Sequence, residues 1–217
     1  MSVKPKPNQM KKPIRFFALL ALGACFAFTM PSKLTDDAKI INVVIDAGHG
    51  GKDLGATHDD FTEKQITDQI AYKIMEMNTD SEVVIHFTRE GDKFVDLNKR
   101  VEAINAIKPD LVISLHVNYT KHSSERSGME FFICKENKLA PKAAMFAERL
   151  SDKFENKGFK VSDVKGAPFF TLLKSQSPAI MVELGYLSNE IDRNYLTSDK
   201  SQEEIAGIVA DFLKELK

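Results

Sequence analysis

Two histidines and two glutamates occupy points of this sequence where metal-binding and proton-transferring side chains would meet. His49 follows the apolar run Ile40–Ile45, and His116 and Glu183 each close another apolar run. Glu63 begins a segment with helical periodicity. Two neutral imidazoles and one carboxylate form a common ligand set for catalytic zinc, which leaves a fourth position open for water. A further carboxylate can then act as general base, so these residue types predict metal-assisted hydrolysis.

Each of these residues also has an ordinary structural explanation when it is taken alone. A histidine such as His49 is typical of a turn or of a phosphate-binding glycine loop, and His116 has the setting of a hydrogen-bonded core histidine. Glu63 would favour the positive end of a helix dipole. Glu183 is harder to explain in this way, because a carboxylate that closes a buried strand is costly unless it is paired or functional.

The glycines around His49 indicate a sharp turn with open space beside it. Gly48, Gly50 and Gly51 lack a Cβ atom, so the backbone can turn tightly and a bulky partner can approach. We expect this space to admit a substrate strand. The spacing is not G-x-G-x-x-G, which argues against a nucleotide-binding loop.

Apolar runs alternate with helical periodicities along the chain, and this alternation predicts how the four residues are positioned. Strands are predicted over Ile40–Ile45, Glu82–Thr88, Leu111–His116, Gly128–Ile133 and Ala179–Glu183. Helices are predicted over Glu63–Met77, Asp96–Ile107, Lys138–Lys157 and Glu203–Leu216. The pattern is typical of an α/β fold, here a single domain with a mostly parallel central sheet and helices on both faces. Parallel strands place their carboxyl ends at one edge, where ligands bind.

Composition limits the class of protein. The 217 residues are 43% hydrophobic and 28% charged, which is typical of one globular domain plus a leader. The net charge of -1 does not favour nucleic acid as a partner. Cys25 and Cys134 are the two cysteines, and since Cys25 lies in the leader, a disulfide framework is excluded.

The N-terminus has the pattern of an export signal. Residues 1–30 are predicted to be a signal peptide or lipoprotein-type leader, in which basic residues precede the apolar run Phe16–Phe28. The run is short for a membrane span, and an uncleaved anchor helix is the alternative. Leu22-Gly23-Ala24-Cys25 resembles a bacterial lipobox, so lipid anchoring through Cys25 competes with cleavage after Ala27. Residues 31–39 are predicted to be a short tether and residues 40–217 the catalytic domain.

Several segments together resemble one enzyme family. They include Asp46-Ala47-Gly48-His49-Gly50-Gly51, Ser114-Leu115-His116-Val117-Asn118 and Met181-Val182-Glu183-Leu184-Gly185, with Glu63-Lys64, Thr88-Arg89 and Gly128-Met129-Glu130 between them. In this order and spacing, from about Asn42 to Leu213, the chain resembles the zinc-dependent N-acetylmuramoyl-L-alanine amidases, which cleave peptidoglycan.

The resemblance implies a role for each of the four residues. His49, Glu63 and His116 would bind Zn²⁺, and Glu183 would be the catalytic carboxylate. The substrate would be the amide between the lactyl group of N-acetylmuramic acid and L-alanine in peptidoglycan or muropeptides. We expect a monomer in the periplasm of the bacterial cell envelope. The alternatives are a zinc peptidase on free stem peptides and a catalytically silent peptidoglycan-binding protein.

Three further polar residues carry weaker expectations. Asp46 would either orient a ligand histidine or stabilise a turn. Arg89 is expected to pair with a carboxylate of a helix or loop. Asn118 would either hydrogen-bond peptide or sugar or cap a loop.

Overall fold

The structure is a computed structural model that describes residues 1–2, 4 and 39–217. The predicted leader over residues 1–30 and the tether over residues 31–39 lie almost wholly outside the described residues. Within the described residues, no helix is both long enough and apolar enough to cross a membrane.

Within residues 39–217, the fold is built around a central sheet of six strands. Its strands are β1 (Ile41–Ala47), β4 (Val83–Phe87), β5 (Leu111–Asn118), β6 (Glu130–Ile133), β7 (Lys165–Gly166) and β8 (Ala179–Tyr186); β2 (Thr57–His58) and β3 (Phe61–Thr62) form a separate hairpin. The order across the sheet is β4-β1-β5-β8-β6-β7. All neighbours are parallel except β6 and β8, which are antiparallel. The predicted mostly parallel sheet is confirmed.

In the part of the chain that the structure describes, six helices connect and flank these strands. They are α1 (Glu63–Met77), α2 (Leu97–Ile107), α3 (Ala140–Asn156), α4 (Phe170–Lys174), α5 (Glu190–Leu196) and α6 (Asp199–Lys214). The sequence pattern did not predict β7, α4 or α5, because elements of two to seven residues are too short to show a periodicity. The last helix begins at Asp199, four residues before its predicted start.

Both faces of the sheet are covered, which explains why its strands are almost uniformly apolar. Helices α1, α3 and α6 pack on one face, where the buried side chains include Val43, Ile113 and Val182. Helices α2 and α4 pack on the opposite face through Ile104 and Leu172. The predicted placement of helices on both faces is confirmed.

The face under α2 and α4 becomes polar at the carboxyl edge of the parallel strands. Here His116 of β5 is the register partner of Glu183 of β8, and Glu183 is the register partner of Glu130 of β6. Directly opposed residues project from the same face of a sheet. These three side chains therefore form one row across three neighbouring strands.

Candidate active site

The structure brings together all four residues that the sequence predicted for the site. His49 lies just beyond the end of β1, Glu63 begins α1, and His116 lies on β5. Glu63 Oε2 is 3.1 Å from His49 Nε2, and Glu63 Oε1 is 2.9 Å from His116 Nδ1. The two imidazole rings meet edge to face with their centroids 5.2 Å apart. Glu183 lines the same cleft as both histidines.

Local backbone geometry places His49. Its φ of 61° lies in the left-handed region, which a residue other than glycine adopts only where its surroundings hold it. The chain then closes a tight loop in which Gly50 and Asp53 exchange backbone hydrogen bonds of 2.9 and 3.1 Å. Asp53 Oδ2 lies 2.9 Å from His49 Nδ1, so this carboxylate directs the opposite nitrogen, Nε2, toward Glu63.

Glu63 is held by backbone as well as by the histidines. Its Oε2 accepts from the N–H of Ala56 at 2.8 Å, and its Oε1 accepts from the N–H of Val117 at 3.0 Å. Glu63 is the N1 residue of α1, where the helix dipole also favours negative charge. The carboxylate of Glu63 can therefore stabilise the helix dipole and take part in the site at the same time.

The carboxylate of Glu63 and the two histidines shift one another's pKa. Burial disfavours a charged His49, but the hydrogen bond and negative charge of Glu63 outweigh burial and raise the pKa of His49 to about 9. Burial likewise disfavours ionised Glu63, yet hydrogen bonds from His116 and His49 hold the pKa of Glu63 well below its ordinary value. The carboxylate therefore stays negative and attracts positive charge between the two imidazoles.

The donor set fits a metal cation. One ligand atom from each of His49, Glu63 and His116 can be chosen so that all lie within 4.8 Å of one another. Each carboxylate oxygen of Glu63 lies close to one imidazole, Oε2 at 3.1 Å from His49 Nε2 and Oε1 at 2.9 Å from His116 Nδ1, so a cation held between the two rings would also meet the carboxylate. Two nitrogens and one carboxylate oxygen match the chemistry of a catalytic zinc or a similar divalent ion.

Glu183 has an acceptor atom that the protein leaves unused. Among the described residues, its Oε2 is the buried side-chain atom that has no hydrogen-bond partner. Burial raises the pKa of Glu183 to about 7. A buried hydrogen-bond acceptor without a partner costs free energy in a folded protein. In an active site it indicates that a ligand binds there or that a proton is transferred to the atom. The cleft that Glu183 shares with the two histidines has a volume of about 630 Å³.

The glycines near His49 make room for protein atoms. A Cβ on Gly48 would lie 2.6 Å from Cε1 of His116, and one on Gly51 would lie 2.6 Å from the backbone nitrogen of Phe94. A Cβ on Gly50 would collide with the carbonyl oxygen of Lys93. The expectation that these glycines clear space for a substrate strand is wrong, because the site's own atoms fill that space.

A buried arginine fixes the turn that carries His49. Arg100 of α2 donates to the carbonyl oxygens of Ala47, at 2.6 Å, and of His49. It also forms an ion pair of 2.7 Å with Asp46, and both side chains are almost fully buried. The remaining bonds of the Asp46 carboxylate come from Thr88 at 2.5 Å and from the Ser114 hydroxyl at 2.8 Å.

Of the two roles predicted for Asp46, its hydrogen bonds fit the stabilisation of a turn and not the orientation of a ligand histidine. In the described structure its carboxylate hydrogen-bonds Thr88, Arg100 and Ser114, whereas Asp53 holds the ring of His49. Asp46 acts on the turn through Arg100. The sequence analysis assigned no role to Asp53 or Arg100. For Asp53, its position four residues after His49 was the available signal of a contact with that histidine.

We expect Arg100→Met to destabilise the fold by about 3–5 kcal/mol, because removing one partner of a buried ion pair leaves the other charge uncompensated. Urea unfolding would measure the difference. The matched control is Lys99→Met, one residue earlier on an exposed part of α2, which should change the free energy of unfolding by less than about 0.5 kcal/mol. Equal effects of the two substitutions would contradict this interpretation of Arg100.

The remaining expectations concern residues around the site. Arg89 forms an ion pair of 2.6 Å with Asp68 of α1, which confirms the predicted pairing with a helix carboxylate. Asn118 accepts from the N–H of Tyr119 at 2.8 Å and donates to Glu130 at 3.2 Å at the end of β5, contacts that fit the predicted loop cap; its contact with peptide or sugar stays a prediction. His86, on β4, lies 2.9 Å from Asn42 Oδ1 and takes no part in the site.

Comparison with known proteins points to one enzyme family. The family model described as N-acetylmuramoyl-L-alanine amidase matches residues 43–215. The germination-specific N-acetylmuramoyl-L-alanine amidase of Bacillus subtilis (strain 168) is 26% identical over 193 residues, which cover 82% of this chain and 80% of that protein. The probable cell wall amidase LytH of Staphylococcus saprophyticus is 34% identical over 161 residues; these cover 71% of this chain and 51% of that longer protein.

A solved structure shows the same fold. The catalytic domain of CwlV, an N-acetylmuramoyl-L-alanine amidase from Bacillus (Paenibacillus) polymyxa var. colistinus, superposes with a TM-score of 0.73 at 28% identity. The match covers 81% of this chain and 97% of that domain. The described α/β unit therefore corresponds to a catalytic domain.

Proposed function

The chain belongs to the N-acetylmuramoyl-L-alanine amidase family, and we propose that it is a zinc-dependent amidase of peptidoglycan. Its reaction would be hydrolysis of the amide between N-acetylmuramic acid and L-alanine. One observation supports this most directly: Glu63 lies within 3.1 Å of both His49 and His116, and these histidines line the same cleft as Glu183, whose Oε2 has no hydrogen-bond partner. This arrangement provides three ligands and a separate proton acceptor.

We assign metal binding to His49, Glu63 and His116. Zinc in this position would supply Lewis-acid chemistry, because it lowers the pKa of water and stabilises negative charge on a substrate carbonyl. The protein's contribution is to hold the donors in place. Asp53 fixes the ring of His49, and the backbone N–H groups of Ala56 and Val117 fix the carboxylate of Glu63.

Glu183 is assigned as the catalytic acid and base. Its unpartnered Oε2 can take the proton of the attacking water as the water oxygen bonds to the lactyl carbonyl carbon. The same carboxyl can then return the proton to the leaving nitrogen of L-alanine as the carbon–nitrogen bond breaks. Burial raises the pKa of Glu183 to about 7, and a nearby cation would lower it and favour the carboxylate, the form that accepts the proton.

The setting we propose is the bacterial cell envelope, where the enzyme would remodel or turn over the wall or separate cells. The relatives named as cell wall and germination-specific amidases support this setting. The export pattern in residues 1–30 agrees with it, with attachment through Cys25 as the alternative to a soluble periplasmic enzyme.

Digestion of intact sacculi tests the proposed reaction and its cofactor together. The purified protein should release stem peptides with a free N-terminal L-alanine, identified by mass, and a chelator should abolish their release until Zn²⁺ is restored. A free stem tripeptide, which lacks the muramyl amide, should remain uncut. Cleavage within the free tripeptide, or activity that survives chelation, would contradict the proposal.

Gly55 provides a steric test of the metal site. A Cβ on Gly55 would lie 2.5 Å from Glu63 Oε2 and 2.6 Å from His49 Cδ2. We expect Gly55→Ala to displace these side chains and to weaken zinc binding by about 10–100-fold, the cost of disturbing the support of a metal ligand. Competition with a chromophoric chelator would measure the affinity.

The matched control for this test is Gly91→Ala. Gly91 has a φ of 64°, close to the 67° of Gly55, but a Cβ there would meet nothing within 4 Å. Both substitutions therefore carry the same backbone strain, and Gly55→Ala alone adds a collision with two proposed zinc ligands. Equal zinc affinities of the two variants would show that the collision is harmless.

A further inference from the structure

A second polar pocket lies beside β8 on the side of β6, whereas His116 lies on β5, on the other side of β8. It has a volume of about 250 Å³ and is lined by Arg126, Ser127, Glu130, Lys160, Lys165 and Tyr186. Its three cations face a single carboxylate, so the pocket carries an excess of positive charge. The proposed mechanism uses none of these residues.

The one carboxylate that lines this pocket, Glu130, already has partners within the protein. Glu130 Oε1 is 2.6 Å from Lys165 Nζ and accepts from the Tyr186 hydroxyl at 3.0 Å. Its Oε2 accepts from Asn118 at 3.2 Å. Glu130 thus balances Lys165. Within residues 39–217, Arg126 and Lys160 form no ion pair, and Lys160 donates to the hydroxyl of Ser127 at 3.0 Å.

The pocket adjoins the reacting groups through the sheet. Glu130 is the register partner of Glu183, and neighbouring strands lie about 4.8 Å apart. Because β6 runs antiparallel to β8, the residues that precede β6, including Arg126, lie at the same edge as the carboxyl end of β8. A group just beyond the proton acceptor on this side would therefore meet Arg126 and Lys160.

The chemistry of the substrate supplies such a group. In common stem peptides L-alanine is followed by D-glutamate linked through its side chain, which leaves a free α-carboxylate two residues from the scissile nitrogen. Two residues span up to about 7 Å, which exceeds the spacing of about 4.8 Å between neighbouring strands. A stem peptide with its alanine nitrogen at Glu183 can therefore place this carboxylate over β6.

The other end of the cleft has a different character. Phe94 and Leu97, about half exposed, line it together with Val95. Lys52 lies over the ring of Phe94, 4.6 Å from its centroid. This end offers apolar surface, which suits the methyl groups and ring faces of an acetylated sugar better than a carboxylate.

We propose that the pocket around Arg126 and Lys160 binds the α-carboxylate of the second stem residue, so that the peptide leaves the site over β6 and the glycan lies toward Phe94 and Leu97. This inference rests on the proposed amidase function and specifies the substrate: an acidic stem peptide is preferred to one whose carboxylate is amidated. Charge-assisted hydrogen bonds to a carboxylate supply the selectivity.

The test compares two muramyl-tripeptides that differ only in this group, a carboxylate in one and a carboxamide in the other. The wild type should have the higher kcat/KM on the acidic form. The double variant Arg126→Ala/Lys160→Ala should lose about tenfold on the acidic form and change less than about twofold on the amide. Lys165 stays unchanged so that Glu130, beside Glu183, keeps its partner.

Lys52→Ala serves as the control, since it removes an exposed cation from the opposite end of the cleft and should leave the selectivity unaltered. Equal losses on both substrates, unchanged selectivity in the double variant, or loss of selectivity in Lys52→Ala would overturn the proposal. A wild type that cleaves neither muropeptide would refute the amidase function instead. Calorimetric binding of the free acidic and amidated stem peptides to the same variants would then decide the pocket's role.

Discussion

Glu183→Gln is expected to lower kcat on muropeptides by about a thousandfold while one equivalent of zinc remains bound. Glutamine has nearly the shape of glutamate, so the packing around β8 should persist, and the three proposed ligands are untouched. The amide cannot accept the proton of the attacking water. Activity on a muramyl-tripeptide and zinc content by elemental analysis would be measured on the same sample.

The control for this prediction is Glu102→Gln on the exposed side of α2, which removes the same charge away from the cleft. It should keep wild-type kcat and zinc content. Wild-type turnover in Glu183→Gln would contradict the assignment of Glu183 as the proton acceptor. Loss of zinc from Glu183→Gln would instead show that this carboxylate is itself a ligand.

His116→Ala is expected to lose zinc and, with it, detectable amidase activity. His116 supplies one of the three proposed ligand atoms and lies 2.9 Å from Glu63 Oε1, so its removal also frees the carboxylate that should face the metal. We expect zinc affinity to fall by more than the roughly 10–100-fold that the loss of an outer partner costs. Metal analysis after dialysis against a dilute chelator would show the loss.

His86→Ala is the matched control, because His86 lies on the same sheet but hydrogen-bonds Asn42 away from the site. It should retain zinc and activity. Circular dichroism of both variants would separate loss of metal from loss of fold. A full equivalent of zinc on folded His116→Ala would contradict the proposed ligand set.

The sequence predicted the main elements well because their signals are local. A buried strand such as β5 is a continuous apolar run, and α1 repeats its apolar residues at helical spacing from Glu63 to Met77, the bounds that the structure shows. Alternation of strands and helices was enough to predict a parallel sheet whose carboxyl ends share one edge. The short elements α4, α5 and β7 have too few residues for such a signal.

The types and positions of the site residues were also contained in the sequence, since each stands at the end of a strand or the start of a helix. The contacts that hold these residues in place could not be predicted from the sequence. Asp53, and not Asp46, contacts the ring of His49, and Arg100 reaches back 51 residues to the His49 carbonyl oxygen. The glycine loop was predicted to admit substrate, yet the space beside Gly48 is occupied by His116.

The chain by itself therefore predicted the fold class and the positions of the four candidate site residues, because strand ends and helix starts follow from hydrophobic periodicity within a few residues. Only the tertiary structure decided which carboxylate orients which imidazole and which side chain fills the space beside each glycine. It also decided that a cationic pocket lies next to Glu183. These contacts join residues that are distant in sequence. Their geometry depends on how helices and strands pack, which no local pattern encodes.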